Sequence, residues 1–147
     1  MGISISVHSE VKIAGKWVHY GEAKFDRNYR LFCKMGCTGK PDTQKEIGLP
    51  IAKAKGMPWD VSDITQLQVL RNLKIEIAMR EPSWLDSEEI AKLETWWATE
   101  PDTTPLSFQL PIFGCGSWYL GGFTPSTDPN SEIPPEVEDV RWVFWFN

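Results

Sequence analysis

Two guanidinium groups, a carboxamide and a phenol fall within one short run, Asp26-Arg27-Asn28-Tyr29-Arg30-Leu31-Phe32. Asp26 can cap a helix beginning near Arg27, with Asn28, Leu31, Phe32 and Met35 on one stripe. The polar side chains would then stand at the first turn, where free N–H groups and a partial positive charge suit a phosphate. Arginine adds a planar fork that grips phosphate and stacks on a base. The plainer reading leaves Arg27 and Arg30 on a solvated helix face, with Tyr29 packed on a neighbouring hairpin. The chain also carries eight Trp, seven Phe and three Tyr, residues that serve binding surfaces as well as cores. The candidate ligand-binding set is therefore Arg27, Asn28, Tyr29 and Arg30 for contacts at the helix start, with Tyr29 or Trp84 stacking on a base.

Other chemistry finds little support. The sequence has no Gly-x-Gly-x-x-Gly, no phosphate loop, no His-Glu-x-x-His and no Gly-x-Ser-x-Gly. Its two histidines offer little for a triad, and Glu88-Glu89 and Glu136-x-Glu138-Asp139 read as solvated charge. The reading is a non-enzymatic protein, with two carboxylates that meet only in space as the open alternative. Cys33 and Cys37 would share a helix face, yet the paired short spacings of a structural zinc are missing. Buried thiols without a metal or other cofactor are the expectation. Three cysteines and no secretory leader point to a reducing compartment.

Charge is distributed unevenly. Residues 1–80 carry a net +5 and residues 81–147 a net −10, which together give the overall −5. Acidity of the whole argues against general nucleic-acid binding, while the basic half could hold a small anion; a solvated surface of uneven charge is the simpler alternative. With 41% hydrophobic and 24% charged residues, the composition excludes disorder and coiled coil, and no apolar run is long enough to span a bilayer.

The elements that would position these groups form one α+β domain over residues 1–147: a small mixed or antiparallel sheet packed by about three helices. Ile3, Ile5, Val7, Val11 and Ile13 alternate with polar residues, Ala14-Gly15 supplies a turn, and Lys16 to Tyr20 returns as the second strand of a hairpin. If Ile13 faces Lys16, Glu10 faces His19 and His8 falls opposite Gly21. The two imidazoles are then no cross-strand pair, and each reads as a surface group. Gly36 or Gly39 stops the first helix. Residues 38–58, dense in Gly and Pro, read as a long loop. Asp60 or Ser62 caps a second helix bearing Ile64, Leu67 and Leu70. Leu73–Arg80 reads as a strand, although Leu70, Leu73 and Ile77 also suit a helix running on to Met79. Asp86-Ser87-Glu88-Glu89 has the form of a capping box for a helix through Trp97. Val140–Phe146 reads as a strand buried on both faces.

Several of these segments resemble a family. Arg27-Asn28-Tyr29-Arg30-Leu31-Phe32 is similar to the Arg-x-Tyr-x-Leu-Phe motif of a widespread group of small bacteriophage-encoded accessory proteins. Gly56-Met57-Pro58-Trp59-Asp60-Val61-Ser62 resembles that group's Gly-Leu-Pro-x-Asp-Val-Ser, and Ser83-Trp84-Leu85 its Ser-Trp-Leu. Glu138–Phe146 resembles its closing Glu-Asp-Val-Arg-x-Val-Phe-Trp-Phe, and Gly15-Lys16-Trp17 also fits. The His-x-His that often precedes Ser-Trp-Leu is here Arg80-Glu81-Pro82, so an imidazole role does not carry over. The resemblance implies a phage accessory protein, and such proteins often counter host defence. Joined to the basic N-terminal half and the aromatics, it leads to an expected inhibitor of bacterial immunity that sequesters a nucleotide messenger such as a cyclic dinucleotide. That protein would work in the cytoplasm of the infected host, as a homo-oligomer and without a membrane partner. The alternatives are an acidic inhibitor that occupies the basic channel of a host defence nuclease, and a virion or lysogeny accessory protein.

Overall fold

Ala14 and Gly15 both adopt positive φ, 49° and 76°, the geometry that lets a two-residue turn match the twist of its strands. They join β1 (Ile5–Ile13) to β2 (Lys16–Ala23), with Ile13 opposite Lys16 and Glu10 opposite His19 as the sequence suggests. A bulge at Ser9/Glu10 then shifts the register, so Ser9 faces Gly21 and His8 faces Glu22. The expected His8–Gly21 pairing is thereby corrected. The computed structural model describes residues 2–23, 25, 27–74, 79–100, 116–119, 122–125 and 137–147, with backbone alone for 23, 116–119 and 122–125.

The helices follow local chemistry. α1 (Tyr29–Lys34) is capped by Asn28, whose Oδ1 accepts from the Leu31 N–H at 3.0 Å. This replaces the expected cap at Asp26, which lies outside the described residues. Gly36, at φ 110°, ends the helix; the Cys37 N–H donates to the Phe32 carbonyl and the Gly36 N–H to the Cys33 carbonyl, the paired closure of a left-handed helix terminus. Within the expected long loop, Pro41 instead opens a short helix, α2 (Pro41–Ile47), because proline needs no N–H at a first helical position. α3 runs from Asp63 to Lys74. Leu73 and Lys74 are therefore helical and not the start of a strand, while 75–78 lie outside the described residues. The strand comes later, as β3 (Arg80–Asp86). Asp86 and Glu89 form the expected reciprocal capping box of α4 (Ser87–Trp97).

β4 (Gly116–Tyr119) and β5 (Gly122–Pro125) pair as a separate small hairpin. β6 (Val137–Phe146) enters the main sheet between β1 and β3, giving the fully antiparallel order β2-β1-β6-β3. The fold is thus α+β, with four helices among the described residues. None of them is long and apolar enough to cross a membrane.

Alternation sorts the sheet into two faces. One presents Val7, Val11, Leu85, Val140, Trp142, Phe144 and Phe146 to Leu31 and Phe32 of α1 and Ile90 and Leu93 of α4, and this is the main core. The other presents His8, Glu10, Trp84, Arg141, Val143 and Trp145. It is covered by the segment that leads into α3. Both faces being covered, Val140–Phe146 is buried throughout, as its composition suggests.

Candidate ligand-binding groove

At the start of α1, Asn28, Tyr29 and Arg30 already have work within the fold. The Asn28 carboxamide oxygen is the helix cap. Arg30 holds Glu100 through Nε at 3.3 Å and Nη2 at 3.1 Å, and Glu46 through Nη1 at 2.9 Å. The Tyr29 hydroxyl accepts from the Ile3 N–H at 3.4 Å, its ring meets Phe32 edge-on, and Lys40 Nζ sits 4.3 Å from its centre. Arg27 is exposed, with its guanidinium lying over Gly2 where a Cβ would be 2.1 Å from Nη1. Trp84 pairs with Val143 on the opposite face of the sheet. The five expected ligand residues therefore do not come together; four stand at α1 and the fifth lies across the sheet.

The second face gathers a different set. Arg141, 3% exposed, faces Glu10, 0% exposed, directly across the β1–β6 ladder. Its Nε and Nη2 reach Glu10 Oε1 at 2.8 and 2.7 Å, and its Nη1 reaches Asp60 Oδ1 at 2.9 Å. Glu10 Oε2 accepts in turn from the Ser62 N–H at 2.9 Å and the Thr65 hydroxyl at 3.0 Å. A buried charge is tolerable only when paired and hydrogen-bonded, and here the pairing latches Asp60, Ser62 and the first turn of α3 onto the sheet.

That latch sets three tryptophans around a groove. Trp17 of β2 lies under the Arg141 guanidinium, 4.1 Å from ring centre to Cζ, with Lys12 Nζ at 5.9 Å. Trp84 of β3 lies under Lys55 at 3.9 Å, and Lys55 is ion-paired to Glu89. Trp59, on the loop before the latch, is 95% exposed. Two hollows of about 670 and 580 Å³ adjoin here and share Trp17, Trp59 and Asp60. Lys12, Lys16 and His19 line the first; Lys55, Trp84, Asp86 and Asp139 line the second.

Beside the groove, His8 Nδ1 and His19 Nε2 stand 3.1 Å apart, and His8 stacks on Trp145 at 5.1 Å. The two are not register partners, as expected, yet their rings meet, and the burial of His8 corrects its reading as a surface group. Burial is the main force holding both below the usual imidazole range; for His8 the neighbouring His19 adds to it, against smaller upward pulls from Glu22 and Glu10. Cys33 and Cys37 are free, buried thiols whose pKa burial pushes up, whereas Cys115 lies outside the described residues. Among the described residues no cluster of three His, Cys, Asp or Glu could hold a metal.

Glu10, Trp17, Trp59, Asp60 and Arg141 were not foreseen as site residues. Arg141 was legible, as one charge inside an otherwise apolar strand, which demands a buried partner. Trp59 had no such signal. Three segments singled out in the sequence, Gly15-Lys16-Trp17, Gly56–Ser62 and Ser83-Trp84-Leu85, meet at this groove together with Glu138–Arg141. No family model matches the chain, and neither the curated proteins nor the solved structures give a match.

Proposed function

We propose that the chain is a non-enzymatic binder of nucleotides, with the base held against Trp59 and Trp17 and the phosphate by Lys12 and Lys16. The observation that carries this reading is Trp59, an almost wholly exposed indole at the rim of a hollow that also presents two lysines. An indole in water with nothing stacked on it is an open platform for a planar ring, and base stacking on an aromatic is worth about 1–3 kcal/mol. Among the described residues neither lysine has an ion-pair partner, so each can meet a phosphate without first breaking a salt bridge. Arg141 is already neutralised by Glu10 and Asp60 and shapes the groove without serving the ligand. Together with the resemblance to phage accessory proteins, this supports a sponge for a nucleotide messenger of bacterial immunity, acting in the cytoplasm of the infected cell.

Calorimetric titration with a panel of linear and cyclic nucleotides tests the reading. Binding is expected for at least one, and Trp59→Ala should weaken it on the order of tenfold to a hundredfold with no change in melting temperature. Lys12→Ala and Lys16→Ala should each weaken it and flatten its dependence on salt. No heat from any nucleotide, or full affinity in Trp59→Ala, overturns the proposal.

A further inference from the structure

α3 leans on the sheet through Thr65, which is buried, and through Val69 and Asn72, which are half-buried. Its opposite side is a seam of Asp63, Leu67, Leu70 and Lys74, all exposed. The spacing of four, three and four residues is that of a two-helix interface. Ile64 and Leu73 flank the seam and are also exposed, at 50% and 62%. A monomeric surface rarely leaves such a stripe facing water.

The pattern identifies its own partner. About the midpoint between Gln68 and Val69 the helix is palindromic in chemistry: Leu67 mirrors Leu70, Ile64 mirrors Leu73, and Asp63 mirrors Lys74. Two copies of α3 laid antiparallel about a two-fold axis would set each Leu67 against Leu70 of the partner subunit, with Ile64 and Leu73 at the borders of the seam. The same arrangement sets each Asp63 against the partner's Lys74. Among the described residues neither Asp63 nor Lys74 has an ion-pair partner within the chain. A self-complementary patch of this kind is what a two-fold interface requires.

We infer that α3 is the interface of a homodimer, closed by antiparallel pairing with a second copy of this chain. Ile64, Leu67, Leu70 and Leu73 stand 50–62% exposed and offer roughly 400 Å² of apolar surface per copy, about half of a standard interface, so the dimer belongs to the small, weaker class. The inference is independent of nucleotide binding.

Sedimentation equilibrium of the intact chain at about 100 μM should give twice 16.8 kDa. The double variant Leu67→Glu/Leu70→Glu should sediment as a monomer with an unchanged circular dichroism spectrum, because both side chains already face water. Asp63→Lys and Lys74→Asp should each weaken the dimer on the order of tenfold, since every single swap places two like-charge pairs in the interface. Combining them restores opposite charges and should restore the dimer, an outcome that a partner of different sequence would not produce. A monomeric wild type, a dimer insensitive to the glutamates, or a double swap that fails to rescue overturns the inference.

Discussion

Arg141 shows how one residue can hold a face of the molecule together. Removing its charge, as in Arg141→Met, leaves Glu10 buried without its cation, and frees Asp60 from its anchor. Breaking one side of a buried pair costs about 3–5 kcal/mol, so the urea midpoint should fall accordingly; a loss below about 1 kcal/mol would mean the latch is dispensable. The histidine pair gives a second test at the same scale. Both imidazoles are neutral in the fold because burial lowers their pKa from 6.5. Below that pH the unfolded chain takes up protons that the folded chain refuses, so stability declines as pH falls through about 6.5 and is unaffected by these groups above it. Melting temperatures measured from about pH 7.5 to about pH 5.5 should show the decline, and His19→Asn should flatten it. The sequence disclosed the residue types but not these meetings. His8 meets His19 although the two are not register partners, and Asp60 reaches Arg141 across 81 residues of chain.

Elements with strong end signals were the legible ones. The Asp86/Glu89 capping box, the Ala14-Gly15 turn and the β6 run all stand where their chemistry puts them. The segment after Leu70 misled because Leu73-Lys74-Ile75-Glu76-Ile77 satisfies both periods. The usual arbiter, a buried apolar stripe, fails on a helix whose leucines face outward. Ser83-Trp84-Leu85 belongs to the strand because Ser83 and Leu85 are buried beside β6, a fact of tertiary pairing. Pro82 is tolerated there since β3 is an edge strand and a register shift separates Arg80 from Ser83. Gly36 is the sharpest test of an element end. A Cβ at φ 110° would also meet the Ala52 carbonyl oxygen at 2.9 Å, so Gly36→Ala should cost about 1–3 kcal/mol. A thermal melt matching wild type would show that the α1 terminus can relax.

At the scale of the whole molecule, the α+β class and the two-faced central strand follow from alternation and composition alone. What covers the second face did not, because Asp60 and Ser62 reach Arg141 and Glu10 only through tertiary pairing. His8 reads as a surface group from alternation, yet it is buried beside His19 and Trp145. The charge asymmetry of the two halves is likewise not a division of the fold. Arg30 meets Glu100, Lys55 meets Glu89 and Arg141 meets Glu10, so basic and acidic halves interleave.

β6 has a consequence in time as well as in space. It is the strand between β1 and β3, yet it follows β1 by well over a hundred residues. During synthesis the β1–β2 hairpin can close early, whereas β3 waits with an open edge until Val137–Phe146 has left the ribosome. Contacts of such long sequence separation form slowly. The nascent chain therefore carries the open border of β1, and after Asp86 that of β3 as well, and these unpaired borders are where it can stick to its neighbours until β6 arrives.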